Sequence, residues 1–185
     1  MVDSDYKLFG ILAVSILAVG LSLVVVKWPK SRHFTFSQHV AVSKQSILYY
    51  VGLFTVVLPL LVLFFLRWFV PEFELTVWFS VLVVASSVAQ LACTLVPETG
   101  GRRSEYHRAL AGISAILLLP ALTLLLFSQQ IDTLGKIIST LGLITMLAVI
   151  FTVAVHKGKP RNFLILQSLY FTAFFLPILS VAYLQ

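Results

Sequence analysis

No Asp, Glu, Lys, Arg or His stands deep within any of the long apolar runs of this chain. That absence bears on function at once. Proton pumps, ion-coupled transporters and voltage sensors work through a buried charge. An intramembrane haem needs histidines that face one another within a bundle. Charge is scarce throughout: charged residues make up 11% of the sequence, where a soluble domain carries roughly 25%. Cysteine occurs once, at Cys93, so no intrachain disulfide can form and cysteine usage assigns no compartment. The histidines and carboxylates match no metal signature: there is no HxxxH, no HExxH and no cysteine partner. Short alternating segments, the mark of a barrel, are missing too.

What the chain does have is apolar material, 59% of it, with a mean hydropathy of +1.02. It comes in blocks of about 20 residues, the length that spans ~30 Å of hydrocarbon at 1.5 Å per residue. The blocks are 8–27, 46–68, 76–96, 106–127, 134–155 and 162–184. In lipid each backbone amide needs an internal partner, so these blocks should be helices. The expectation is an all-α, polytopic integral membrane protein. It would be one transmembrane domain over 1–185 with six helices arranged as three helical hairpins, and no soluble domain is left over. The start, MVDSDYK, is acidic where a signal peptide would be basic. The first block ends at Lys27-Trp28-Pro29-Lys30 without a small-residue cleavage site, so this helix should be retained.

Charge placement gives an orientation. Lys27, Lys30, Arg32 and Lys44 follow the first block, Arg102, Arg103 and Arg108 the third, and Lys157, Lys159 and Arg161 the fifth. The other side holds only Lys7, Arg67 and Lys136. Basic loops stay cytoplasmic, so both termini are expected on the non-cytoplasmic side. Asp3, Asp5, Glu72, Glu74 and Asp132 lie with the termini, and Glu98 and Glu105 with the basic loops. The net charge of +6 is accounted for by these loops, and nucleic acid is not an expected partner. Anionic lipid headgroups are. Trp28, Trp68, Trp78 and Tyr106 fall near the expected interfaces, where amphipathic rings settle.

Several residues are candidates for more than packing. Each even-numbered block carries a mid-helix leucine-proline, at Pro59, Pro120 and Pro177. Three kinks at one depth could open a crevice. A permease for a small neutral or lipid-like solute would use it, with Gln90, Thr123 or Tyr170 facing the cavity. Gln90 and Gln167 are the deepest polar groups, and bonding to a neighbouring helix is the plainer reading of Gln90. Ala85, Ala89 and Cys93, with Ser86 beside them, form a small-residue face suited to close packing against Ala111, Gly112 and Ala115. All four histidines, His33, His39, His107 and His156, fall on the basic side. The stretch Glu98 to Arg108 pairs a Gly-Gly turn with arginines at a helix start. It lacks Walker spacing and any lysine, so nucleotide hydrolysis is not expected. A phospholipid headgroup could sit there on Arg102, Arg103, Glu105, His107 and Arg108. Residues 33–42 are too apolar for a solvated linker and should lie on the membrane surface or tuck under the bundle.

Phe36-Ser37-Gln38 and Val42-Ser43-Lys44 in the first loop, Val96-Pro97 closing the third block, and His107 with small residues through Ala115 carry a resemblance. On these segments, about a third of the chain, the protein resembles the autophagy-modulator (DRAM) membrane proteins and their prokaryotic six-helix relatives. The resemblance implies six helices in lipid-rich membranes and no agreed activity, and it transfers no catalytic residue. The reading that follows is a non-enzymatic, lipid-associating or accessory subunit with a basic cytoplasmic face. It would use no cofactor or metal, and its partners would be membrane lipids and a protein partner or a second copy. The alternatives are the permease and a lipid-modifying enzyme that uses His107 with Glu105 or Glu98.

Overall fold

Where hydrocarbon replaces water, backbone groups must pair within their own segment. The computed structural model of the protein meets that demand with helices. It describes residues 4–158 and 160–185; Asp3 and Lys159, both counted in the charge pattern, lie outside the described residues. Six helices are long and apolar enough to cross a bilayer. They are α1 (Lys7–Lys27), α3 (Lys44–Glu72), α4 (Val77–Leu95), α5 (Gly101–Leu125), α6 (Thr133–Val155) and α7 (Phe163–Leu184). A short helix, α2 (Phe36–Val40), sits in the first loop. No strand occurs among the described residues. The protein is a six-helix polytopic membrane protein.

The three most extensive helix contacts are α1 with α3, α4 with α5, and α6 with α7, so the bundle is three hairpins set side by side. Contacts of α3 with α4 and of α5 with α6 join them, while α1 and α7 touch only lightly. One end of the bundle gathers Lys27, Lys30, Arg32, Lys44, Arg102, Arg103, Arg108, Lys157 and Arg161, and all nine are exposed. We call it the basic end.

Close approach needs small residues, because dispersion is what draws helices together in lipid. The expected α4 face does this: Ser86 and Ser114 are buried and each hydroxyl donates to the other residue's carbonyl, at 3.0 and 3.1 Å. A second small face, Gly135, Ser139 and Gly142 on α6, meets α7. Pro177 has no N–H to give the carbonyl of Ala173, one turn back. Gly142 packs on that freed oxygen so closely that an added Cβ would lie 2.4 Å from it.

The three prolines do not line one crevice. Pro177 is buried, whereas Pro59 and Pro120 are exposed on the outside of the bundle. They do not share a direction, because each helix is rotated by its own packing. Further out, α3 runs on past the expected end through a π turn, Phe65–Phe69, to Glu72. The wider turn comes just before Pro71, whose ring would press on the carbonyl of Arg67 in a regular helix. Trp68 does not face outwards. It is buried among Phe64, Phe69 and Phe73, with the Lys7 ammonium 4.9 Å from its ring centre. Trp78 and Tyr106 do stay exposed at helix ends.

Gly142→Ala should push α6 off a backbone carbonyl that cannot move aside, costing about 1–3 kcal/mol. The control is Gly112→Ala, where an added Cβ meets nothing within 4 Å. Thermal unfolding in detergent should show a lower midpoint for the first variant and none for the second.

Candidate functional site

Glu98 is the organising group of the basic end. It follows Pro97 at the exit of α4, and its side chain is only 5% exposed. Thr35 Oγ1 and Ser37 Oγ donate to its Oε2 at 3.1 and 2.8 Å, and Gln38 Nε2 donates to its Oε1 at 2.9 Å. Three donors on one buried carboxylate give both of its oxygens partners in place of water. All three come from the first turn of α2, so the first loop tucks under the bundle. Phe36, Ser37, His39 and Val40 are buried there.

Local sequence explains why α2 forms. Thr35-Phe36-Ser37-Gln38 is a capping box: Thr35 Oγ1 accepts from the Gln38 N–H, and Gln38 Oε1 accepts from the Thr35 N–H. Gln167 of α7 accepts from the Phe36 N–H at 3.1 Å. Ser43 and Ser46 make a second box that starts α3. Lys30 Nζ donates to the Gln38 carbonyl at 2.6 Å, in the last turn of α2, where the free carbonyls of a helix favour a cation.

His107 lies on the other side of Glu98. Its Nδ1 donates to the Val96 carbonyl at 2.6 Å, which places the proton on Nδ1 and turns Nε2 towards Glu98 Oε2 at 3.9 Å. Cys93 Sγ is 3.4 and 3.5 Å from the two ring nitrogens, so the sulfur rests against the ring rather than in line with one nitrogen. Beside this group, between Tyr50, Thr94 and Ser37, is a cavity of about 10 Å³, room for one water at most. The cluster is a closed hydrogen-bonded post. Nothing larger than water fits against His107 while α2 is in place.

The other histidines follow the same rule. His39 donates to the carbonyl of Trp28, His33 to that of Arg161 and His156 to that of Thr152, each through Nδ1. Each carries a carbonyl near a helix terminus. Among the described residues no group of three His, Cys, Asp or Glu has an arrangement that could hold a metal.

The structure separates the expected headgroup residues into two sets. Arg102, Arg103, Glu105 and Arg108 are exposed, and His107 is buried with Glu98. Glu105 does not join His107; Glu98 does. The turn into α5 puts Gly100 at φ +103° and Gly101 at φ +58°, the left-handed region that glycine tolerates. The turn delivers Arg102 and Arg103 to the surface. Ser104 Oγ is taken by the Gly100 N–H at 2.7 Å.

The cavity residues of the permease reading do not converge. Tyr170 donates to the Ala115 carbonyl on α5, and Thr123 to the Leu119 carbonyl of its own helix. Gln90 is half-buried with no hydrogen bond among the described residues. Sequence reasoning missed Thr35, Ser37 and Gln38 as partners of Glu98, although the Thr-x-x-Gln spacing was a readable capping signal. Comparison with protein-family models, with curated proteins and with solved structures finds no match for this chain.

Removing the carboxylate should free α2. One hydrogen bond to a charged group contributes about 1.5–3 kcal/mol, so Glu98→Ala should speed amide exchange over residues 36–40 by roughly ten- to a hundredfold. Hydrogen-exchange mass spectrometry in detergent measures this, with exchange in α6 unchanged.

Proposed function

We propose that this protein is a non-enzymatic, lipid-associating membrane subunit whose basic end faces the cytoplasm and holds anionic headgroups. The observation that carries the reading is the direction in which Glu98 faces. Its carboxylate is turned inward and occupied by α2, and neither Glu98 nor Glu105 pairs with a Lys or Arg among the described residues. The nine exposed cations of that end are left without a carboxylate partner there. Arg108 spends only its Nε on the Ser104 carbonyl. Arg102, Arg103 and Arg108 are the residues best placed for a phosphate, since the guanidinium fork matches it. We also infer kinship with the autophagy-modulator type proteins. In its favour, three of the segments that carry the resemblance, at Ser37-Gln38, Val96-Pro97 and His107, gather around Glu98, while Val42-Ser43-Lys44 starts α3.

The other readings have less behind them. A permease needs a shared polar cavity, and its candidate residues bond elsewhere. A lipid-modifying enzyme gains from the nearness of His107 to Glu98 but lacks room for a substrate beside them.

Native mass spectrometry in mild detergent tests the lipid reading. The protein should retain phosphatidylglycerol in preference to phosphatidylcholine. Near a charged surface each basic residue contributes about 1 kcal/mol, so replacing Arg102, Arg103 and Arg108 by Gln should weaken that retention roughly a hundredfold. Equal retention of both lipids by the unaltered protein would sink the idea. Orientation is checked separately with an impermeant maleimide. Gln185→Cys should label in intact cells, and Arg103→Cys only after permeabilisation.

A further inference from the structure

The light contact between α1 and α7 leaves a slot of about 630 Å³ between them. Its two ends are closed. At the far end Tyr183 of α7 donates to the Lys7 carbonyl and accepts from the Ile11 N–H. At the basic end Phe36 of α2 fills the gap, and the Leu164 N–H donates to the Arg32 carbonyl at 3.2 Å. The side is open to the bilayer. The long wall on α1 runs from Val14 to Val26, about 18 Å at 1.5 Å per residue. One leaflet of hydrocarbon is about 15 Å deep.

The walls suit a hydrocarbon chain. Ala18 and Ser22 on α1 and Ser168 and Thr172 on α7 are small and leave the space open. Their three hydroxyls do not ask for a polar ligand, because each donates to a carbonyl of its own helix: Ser22 to Ala18, Ser168 to Leu164, and Thr172 to Ser168. The remaining wall is aliphatic and aromatic. The rim at the basic end is different. Lys27 follows Val26, Arg161 lies three residues before Leu164, and Arg32 is bonded to Leu164 through its backbone. All three side chains are exposed. Charge at the rim and hydrocarbon along the slot match the two parts of a phospholipid.

We propose that this slot is a binding site for one acyl chain of an anionic phospholipid, with its phosphate held by Lys27, Arg32 and Arg161. The inference deepens the lipid-associating reading and rests on it, but it uses different residues. A second copy of the chain would bring one exposed carboxylate, Glu105, to that end along with nine more exposed cations, and so no net counter-charge. A phospholipid supplies one.

Photo-crosslinking tests it. The full chain is placed in nanodiscs that contain phosphatidylglycerol with a diazirine midway along one acyl chain. Crosslinks should concentrate on the slot residues of α1 and α7, and Ala18→Trp with Ser168→Trp should cut them several-fold. Both positions are exposed, so the fold should tolerate the change; the thermal midpoint checks that. If the double variant fails to fold, the crosslink map of the unaltered protein decides alone. Arg32→Gln with Arg161→Gln should remove a preference of roughly fivefold or more for phosphatidylglycerol over the phosphatidylcholine analogue, because each cation adds to the attraction. Crosslinks spread evenly over lipid-facing residues such as Ile144 and Phe151 would overturn the proposal. So would release of a bound protein chain by Ala18→Trp, which would identify the occupant as protein. If phosphatidylglycerol is still retained through Arg102, Arg103 and Arg108 while the slot stays unlabelled, the slot fails and the broader lipid reading stands.

Discussion

A carbonyl or hydroxyl in hydrocarbon has no water to fall back on, and most of this bundle is arranged around that fact. The hydroxyls of Ser22, Thr55, Thr123, Thr140, Thr145, Thr152, Ser168 and Thr172 each bond the carbonyl one turn back. Ser86 and Ser114 satisfy one another across a helix interface. The carbonyl that Pro177 leaves free on Ala173 is covered by Gly142, where a Cβ could not fit. The π turn before Pro71 answers the same problem by widening the helix. Small residues thus do two things here. They let helices close up, and they let backbone groups without a partner meet something other than lipid.

The basic end obeys a second demand, set by the headgroup zone, where water returns and charge is tolerated. One carboxylate, Glu98, links both consequences. Turned inward, it collects Thr35, Ser37 and Gln38 and so fixes α2 beneath the bundle. Being occupied there, it cannot neutralise the arginines that follow it in sequence. The strap and the positive surface are two results of one side-chain direction. His107 supports the arrangement from behind by joining α5 to the exit of α4 through the Val96 carbonyl.

At the far end the material is aromatic rather than polar. Phe64, Phe65, Trp68, Phe69, Phe73 and Phe79 pack edge and face, with ring centres 4.9–6.2 Å apart. Such pairs add about 0.5–1.5 kcal/mol each beyond the area they bury. The Lys7 ammonium over Trp68 and Tyr183 finishes that cluster. The bundle is therefore tied at both ends by different chemistry, and α1 and α7 are left to part between them.

Read along the chain, the residues determined a good deal: six spans, which ends carry the cations, a first loop too apolar to float free, and a small-residue face on α4. Length, charge and side-chain size are local properties, so they survive without knowledge of neighbours. Even the capping box of α2 was spelled out in Thr35 and Gln38. The tertiary structure alone decided how each helix is turned about its axis. It put Pro59 and Pro120 outside and Pro177 inside, buried Trp68, and paired His107 with Glu98 rather than Glu105. The physical reason lies in the solvent. In water a polar face marks the outside of a helix. In lipid both faces are apolar, so no hydrophobic stripe records the rotation, and only the fit of one helix against the next settles it.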